Sequence, residues 1–156
     1  DDFRNFFKVD KEKELFSIKK SIKDIILMQS GQLTSHNIIS KIVGDDFEIN
    51  SYKNEFQQVI LNLINNSKDA LLENKIENPT IDILLENNSI YIKDNAGGIP
   101  KNIIDRIFEP YFTTKEQGKG TGMGLYMSKI IIEDNMDGAF HVSNVEDGAL
   151  FEIRFS

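Results

Sequence analysis

Apolar residues recur along this chain with two different periods. Between Asn54 and Asn74 they fall at Phe56, Val59, Ile60, Leu63, Ile64, Ala70 and Leu71. A wheel at about 100° per residue gathers these on one face, so the spacing predicts a helix packed on a sheet. Leu15–Gln32 carries Ile18, Ile22, Ile25, Ile26 and then Leu33 with lysines between them, a second helical pattern. Met123–Asn135 is predicted as the last long helix, and Lys101–Ile107 as a short one. Thr80–Leu85 and Ser89–Lys93 alternate apolar and polar residues around Glu86-Asn87-Asn88 and read as a hairpin. Gly138–Val145 and Ala149–Phe155 read as a second hairpin turned at Glu146-Asp147-Gly148. Asn37–Asn50 is rich in β-branched residues and reads as a strand pair or one long bent strand. Phe3, Phe6 and Phe7 resemble the end of a helix. These elements predict an α+β fold, a two-layer sandwich with about three helices on one face of a mixed sheet.

Composition narrows the classes. At 156 residues, with 40% hydrophobic and 28% charged residues, the chain suits one globular domain with a real core. It has no cysteine, which excludes disulfide scaffolds and thiolate metal sites and fits a reducing, cytoplasmic setting. No apolar run approaches a membrane span, so no direct membrane contact is expected. A net charge of −7 argues against a nucleic-acid surface. Lys93–Lys129 nevertheless holds six basic residues against four acids, +2 in a chain whose remainder is −9. A locally basic window of this kind favours a small anionic ligand.

That window contains Gly118-Lys119-Gly120-Thr121-Gly122-Met123-Gly124-Leu125, followed at once by helical sequence. Glycines let backbone N–H groups converge and a ligand approach closely, and a helix N-terminus beyond them suits phosphate. The spacing is neither that of a Walker A loop nor Gly-x-Gly-x-x-Gly. On the Asn54–Asn74 helix, Gln58, Asn62, Asn65, Asn66 and Asp69 form a stripe beside the apolar face. Each Asn costs roughly 0.6 kcal/mol against Ala in a helix interior. Three of them, roughly 2 kcal/mol, call for a reason beyond local structure. An amide oxygen suits Mg²⁺, though a drift toward Asn in an Asn-rich chain would give the same letters. Asp94 ends an apolar strand and opens Asp-Asn-Ala-Gly-Gly-Ile-Pro, where its carboxylate can accept from an exocyclic amine such as adenine N6. A plain Asp-Asn turn is the simpler reading of the same letters. In Phe108-Glu109-Pro110-Tyr111-Phe112-Thr113-Thr114-Lys115, the aromatics can anchor a loop while Lys115 offers a compact charge to a terminal phosphate. Tyr111 to Thr121 is expected to act as a mobile lid.

In order, these four segments resemble the N, G1, F and G2 boxes of the catalytic domain of bacterial sensor histidine kinases. The F box is most similar to that of the nitrogen-regulation-type subgroup. The resemblance implies the Bergerat ATP-binding fold shared with gyrase, Hsp90 and MutL, with ATP or ADP and Mg²⁺ as ligands. It assigns Asn66 to Mg²⁺, Asn62 to the phosphates and Asp94 to adenine, with Gly98 supporting that pocket. Lys115 and Arg106 would reach phosphate, and Gly120, Gly122 and Gly124 would shape the lid hinge. Asp69, Ile99, Thr121, Met123 and Leu125 complete the implied nucleotide contacts, and Asn62, Lys115 and Arg106 the catalytic set. One departure stands in the G1 box, where Ala96 occupies the usual first glycine and must avoid positive φ. The family's phosphoacceptor histidine lies on an upstream helical hairpin. His36 and His141 lack that context and are read as structural.

The resemblance therefore implies a phosphotransferase module. Residues 1–10 would be the stub of the dimerisation hairpin and 11–156 the catalytic domain, monomeric alone and part of a homodimer in the whole sensor. Its partners would be that histidine domain and a response regulator. An ATPase clamp of the gyrase sort would need Glu where Asn62 stands, since an amide cannot take a proton. A nucleotide-binding module without catalysis is the remaining alternative.

Overall fold

The computed structural model describes residues 12–110 and 124–156. The Phe3–Phe7 stub, Lys115 and most of the glycine-rich loop lie outside them. Strand β1 (Glu14–Ser17) leads into helix α1 (Ile18–Met28) and the short α2 (Ser30–Ser35). Strands β2 (Ile39–Gly44) and β3 (Glu48–Ser51) precede the 21-residue helix α3 (Lys53–Glu73). Strands β4 (Thr80–Glu86) and β5 (Ser89–Asp94), the single-turn helix α4 (Lys101–Ile104) and helix α5 (Gly124–Ile130) follow. A π-helical turn, Ile131–Asn135, extends α5 before strands β6 (Ala139–Val145) and β7 (Gly148–Arg154).

The main sheet runs β2-β4-β5-β7-β6, parallel between β2 and β4 and antiparallel elsewhere. Strict alternation decides which face is covered. Ile81, Ile83 and Leu85 of β4 point into the core, as do Ile90 and Ile92 of β5 and Phe151 and Ile153 of β7. Asp82, Leu84 and Glu86 point to the open face. Helix α3 lays Phe56, Val59, Ile60, Leu63, Ile64 and Leu71 against the covered face, all buried. The α+β sandwich with helices on one face of a mixed sheet is thus the observed architecture. Phe16, Phe56 and Phe155 pack together at one end of the core, with ring centroids 5.8 and 6.3 Å apart. At the other, the Phe108 ring meets Phe140 edge-on at 5.3 Å. Phe108 is the one aromatic of the Phe108–Lys115 segment among the described residues; Tyr111 and Phe112 lie outside them.

Five features differ from the sequence pattern. Leu15–Ser17 is a strand, because Ser17 caps α1 by accepting from the Lys20 N–H, so the helix starts only at Ile18. That helix ends at Met28 rather than continuing to Gln32. The predicted strand pair in 37–50 is two strands that do not pair with each other: Gly44, at φ 104°, turns the chain out of the main sheet, and β3 pairs with β1. The short helix closes at Ile104 rather than Ile107, and the last helix widens into a π turn in which Met136 N–H bonds the Ile131 carbonyl. Between β4 and β5 the turn is Asn87-Asn88, both at positive φ, as a two-residue hairpin requires.

Candidate functional site

Helix α5 and the end of strand β5 converge on α3. Its amide stripe faces α5, and the strand end of β5 meets it beside Ser67. Asn62, half-buried, donates from Nδ2 to the Ser128 hydroxyl of α5 at 3.2 Å. Gly124 opens α5 directly against this amide; a Cβ at that position would overlap Asn62 Oδ1. The last glycine of the G2 box thus lets α5 approach the Asn62 amide without displacing it. Asn65 and Asn66 are half-buried, and among the described residues neither side chain makes a hydrogen bond. Asp69, one turn after Asn65, is half-buried on the same side.

Asp94 is the most constrained member. Its carboxylate is only 4% exposed and, among the described residues, has no cationic partner. Oδ1 accepts from the Ala96 N–H at 3.0 Å and the Ala149 N–H at 3.3 Å, and Oδ2 accepts from the Ser67 hydroxyl at 3.1 Å. A carboxylate offers about four lone-pair sites, so this buried group retains capacity for one more donor. Burying a charge without a counter-ion is costly unless hydrogen bonds replace water. Two N–H groups and a hydroxyl do so, leaving one acceptor site unspent. Gly148 makes the close packing possible, because a Cβ there would run into the Asp94 carbonyl.

The loop after Asp94 is held at many points. Asn74, which caps α3, donates to the Ala96 carbonyl at 2.7 Å. Asn95 accepts from the Thr80 N–H at 2.9 Å and donates to the Asn78 carbonyl at 3.0 Å. Gly97 and Gly98 take φ of 97° and 86°, whereas Ala96 stays out of the positive-φ region. The departure in the G1 box thus carries no strain: the glycines sit where left-handed backbone is needed. Ile99 and Leu125 are half-buried and pack on the core edge.

Arg106 is exposed, and its Nε donates to Glu109 at 3.1 Å. His36 ends α2 and His141 lies on the open sheet face, both exposed. Lys115, Gly120, Thr121, Gly122 and Met123 lie outside the described residues. Asn62, Asn66, Asp69, Asp94, Gly98, Ile99, Gly124 and Leu125 occupy the elements that bound the site. Ser67, Ser128, Asn74, Asn144 and Gly148 were not expected. Ser67 had a signal: it stands between Leu63 and Leu71 at helical spacing on an otherwise apolar face. The others become site residues only through contacts between distant segments.

The geometry suits a ligand with an exocyclic N–H donor at Asp94 and oxygen-rich groups near the amide stripe. Amide oxygens without a hydrogen-bond partner among the described residues are hard, neutral donors, so Asn66 would suit Mg²⁺.

Comparisons with known proteins agree with this geometry. Residues 52–156 match the family model described as histidine kinase-, DNA gyrase B-, and HSP90-like ATPase. Over 150 residues the chain is 36% identical to sporulation kinase A of Bacillus subtilis, covering 92% of this chain and 24% of that protein. It is 40% identical over 111 residues to the two-component sensor PprA of Pseudomonas aeruginosa, covering 64% of this chain and 12% of that one. A protein of Rickettsia conorii named as an NtrY-like sensor histidine kinase is 30% identical over 83% of this chain and 22% of its own length. The chain thus spans a quarter or less of these curated relatives. Among solved structures, the nucleotide-free catalytic domain of histidine kinase ThkA superposes with a TM-score of 0.77 at 28% identity. The match covers 91% of this chain and 93% of that one.

Proposed function

The chain belongs to the family of histidine kinase-, DNA gyrase B- and HSP90-like ATPases, and from that premise we propose that it hands the γ-phosphate of ATP to a histidine on a separate domain. It is a catalytic ATP-binding domain of the kind found in two-component sensor histidine kinases. Adenine would give its N6 amine to the free lone pair of Asp94. Asn66 would hold Mg²⁺, which would supply charge neutralisation on the phosphates, and Asn62 would stand beside them. Lys115 would meet the terminal phosphate; Arg106 would have to exchange Glu109 for phosphate to join it. Asp69, Gly98, Ile99, Gly120, Thr121, Gly122, Met123, Gly124 and Leu125 would complete the enclosure. In the transfer, the bond between the γ-phosphorus and the bridging oxygen would break, ADP leaving with its electron pair, while a phosphorus–nitrogen bond forms on the incoming imidazole, which gives up its N–H proton to water. The domain's task is positioning and electrostatics.

The amide at Asn62 carries the choice between kinase and hydrolase. An ATPase clamp needs a general base one helical turn before the magnesium Asn. Here that side chain is an amide held by Ser128, and the stripe's one carboxylate is Asp69. We further assign the chain to the nitrogen-regulation-type subgroup, on its Phe108–Lys115 segment and its NtrY-like relative. We take the whole protein to be a dimeric sensor whose catalytic domain works in the cytoplasm, where ATP is found. A response regulator would receive the phosphoryl group; ThkA has been crystallised with its regulator TrrA.

The test is base selectivity. The domain should bind ATP more tightly than GTP, and Asp94→Asn should erase that preference, because an amide presents a donor as well as an acceptor. Equal ATP and GTP affinity in the unmodified domain, measured by calorimetry, would remove Asp94 from this role.

A further inference from the structure

The loop that would carry the base is anchored from two sides. Its first half, Asp94–Ala96, is held by Ser67 and Asn74 of α3, by the 78–80 segment and by the Ala149 N–H. Its second half, Gly97–Ile99, takes its hydrogen bonds among the described residues from the β6–β7 hairpin alone. Gly97 donates its N–H to the Asp147 carbonyl at 2.8 Å. Asn144, near the end of β6, does more. Its Oδ1 accepts from the Ile99 N–H at 2.7 Å, and its Nδ2 donates to the Ile99 carbonyl at 2.6 Å. One side chain thus satisfies both main-chain groups of one residue, as a neighbouring strand would. It also sets the position of Gly98, whose Cβ, if present, would come within 3.0 Å of Asn144 Oδ1.

We propose that Asn144, outside all four sequence boxes, is a positioning residue for base selectivity: it fixes Gly98 and Ile99 in register with Asp94. This rests on the nucleotide reading above. Two glycines at positive φ give the loop many alternative conformations when unheld, and ordering them on binding would subtract from affinity. A prepaid anchor avoids that cost and keeps the acceptor of Asp94 at a fixed offset from the loop backbone. Adenine and guanine differ by groups at this edge, so a loosened loop loses discrimination as well as strength. An amide is required because the Ile99 peptide presents one donor and one acceptor. A carboxylate would keep the bond to the N–H but set a negative charge against the carbonyl.

The test compares ATP and GTP affinity in native protein, Asn144→Leu and Asn144→Asp by calorimetry, with thermal unfolding of each unliganded domain. Asn144→Leu keeps the branched shape of the side chain and removes both bonds. It should weaken ATP binding about tenfold and lower the ATP-to-GTP ratio, with Asn144→Asp intermediate in both. If Asn144→Leu does not fold, Asn144→Asp is read in the same way. Equal losses for ATP and GTP, following a lowered unfolding temperature, would make Asn144 a purely structural residue and overturn the proposal. So would affinities unchanged within twofold while Asp94→Asn still erases selectivity. Were Asp94→Asn also without effect, the nucleotide reading itself would fall.

Discussion

Asp46 is an exposed carboxylate given a structural task. Burial alone would push its carboxyl up. Hydrogen bonds from the Ser17 hydroxyl and the Lys19 and Phe47 N–H groups, with the Lys19 charge, hold it below the usual carboxylate range. It accepts at 2.6 Å from Ser17 and 2.9 Å from Lys19, placing a negative charge at the N-terminus of α1. A depressed folded pKa means that the stabilisation is complete above the unfolded value of about 3.9 and is lost as pH falls through the folded one. Asp46→Ala should therefore cost between a few tenths and about 1 kcal/mol near pH 7. The difference from native should shrink below about pH 4, as urea unfolding at several pH values would record. No local pattern announces this pairing, since Asp46 and Ser17 are far apart in sequence. Asp94 was legible from its place at a strand end, but its donors were not: Ser67 showed only as a polar break in an apolar face, and Ala149 offers an N–H that any residue carries.

Helix α3 was readable almost to its last residue because one long period governs both its faces. The hairpins were readable because Asn87-Asn88 and Glu146-Asp147 mark their turns. Strand β1 was not, since Leu15 and Phe16 continue the helical spacing of α1, and only the Ser17 cap divides them. The parallel pairing of β2 with β4 was equally hidden, because β-branched residues reveal a strand but not its neighbour. The α3–α5 contact turns on a glycine that looked like loop chemistry. Gly124→Ala should force a methyl group onto the Asn62 amide, with a stability loss of about 1–3 kcal/mol and weaker ATP binding. In an Asn62→Ala background the same change should cost much less, because the obstructing amide is gone. Equal costs in both backgrounds, from denaturant unfolding, would show that Gly124 matters for its backbone rather than for this contact.

At the scale of the molecule, the covered sheet face and α3 form a fixed platform, with the Asp94–Ile99 loop pinned by hydrogen bonds from α3 and its cap, the 78–80 segment and the β6–β7 hairpin. Among the described residues, no helix is long and apolar enough to cross a membrane. On the reading proposed above, the nucleophile comes from another domain, and Asn62 would stand where a hydrolase keeps its base. The central claim is thus that the site positions ATP for a histidine supplied from elsewhere. The direct measurement follows the γ-phosphate of labelled ATP, with Mg²⁺, in the presence and absence of a histidine-bearing dimerisation hairpin from a related sensor kinase. The account predicts bound ATP with negligible turnover by the domain alone, and acid-labile label on the hairpin histidine when it is added. Steady release of inorganic phosphate by the domain alone at roughly 1 s⁻¹ or faster, within the usual enzyme range, would contradict it.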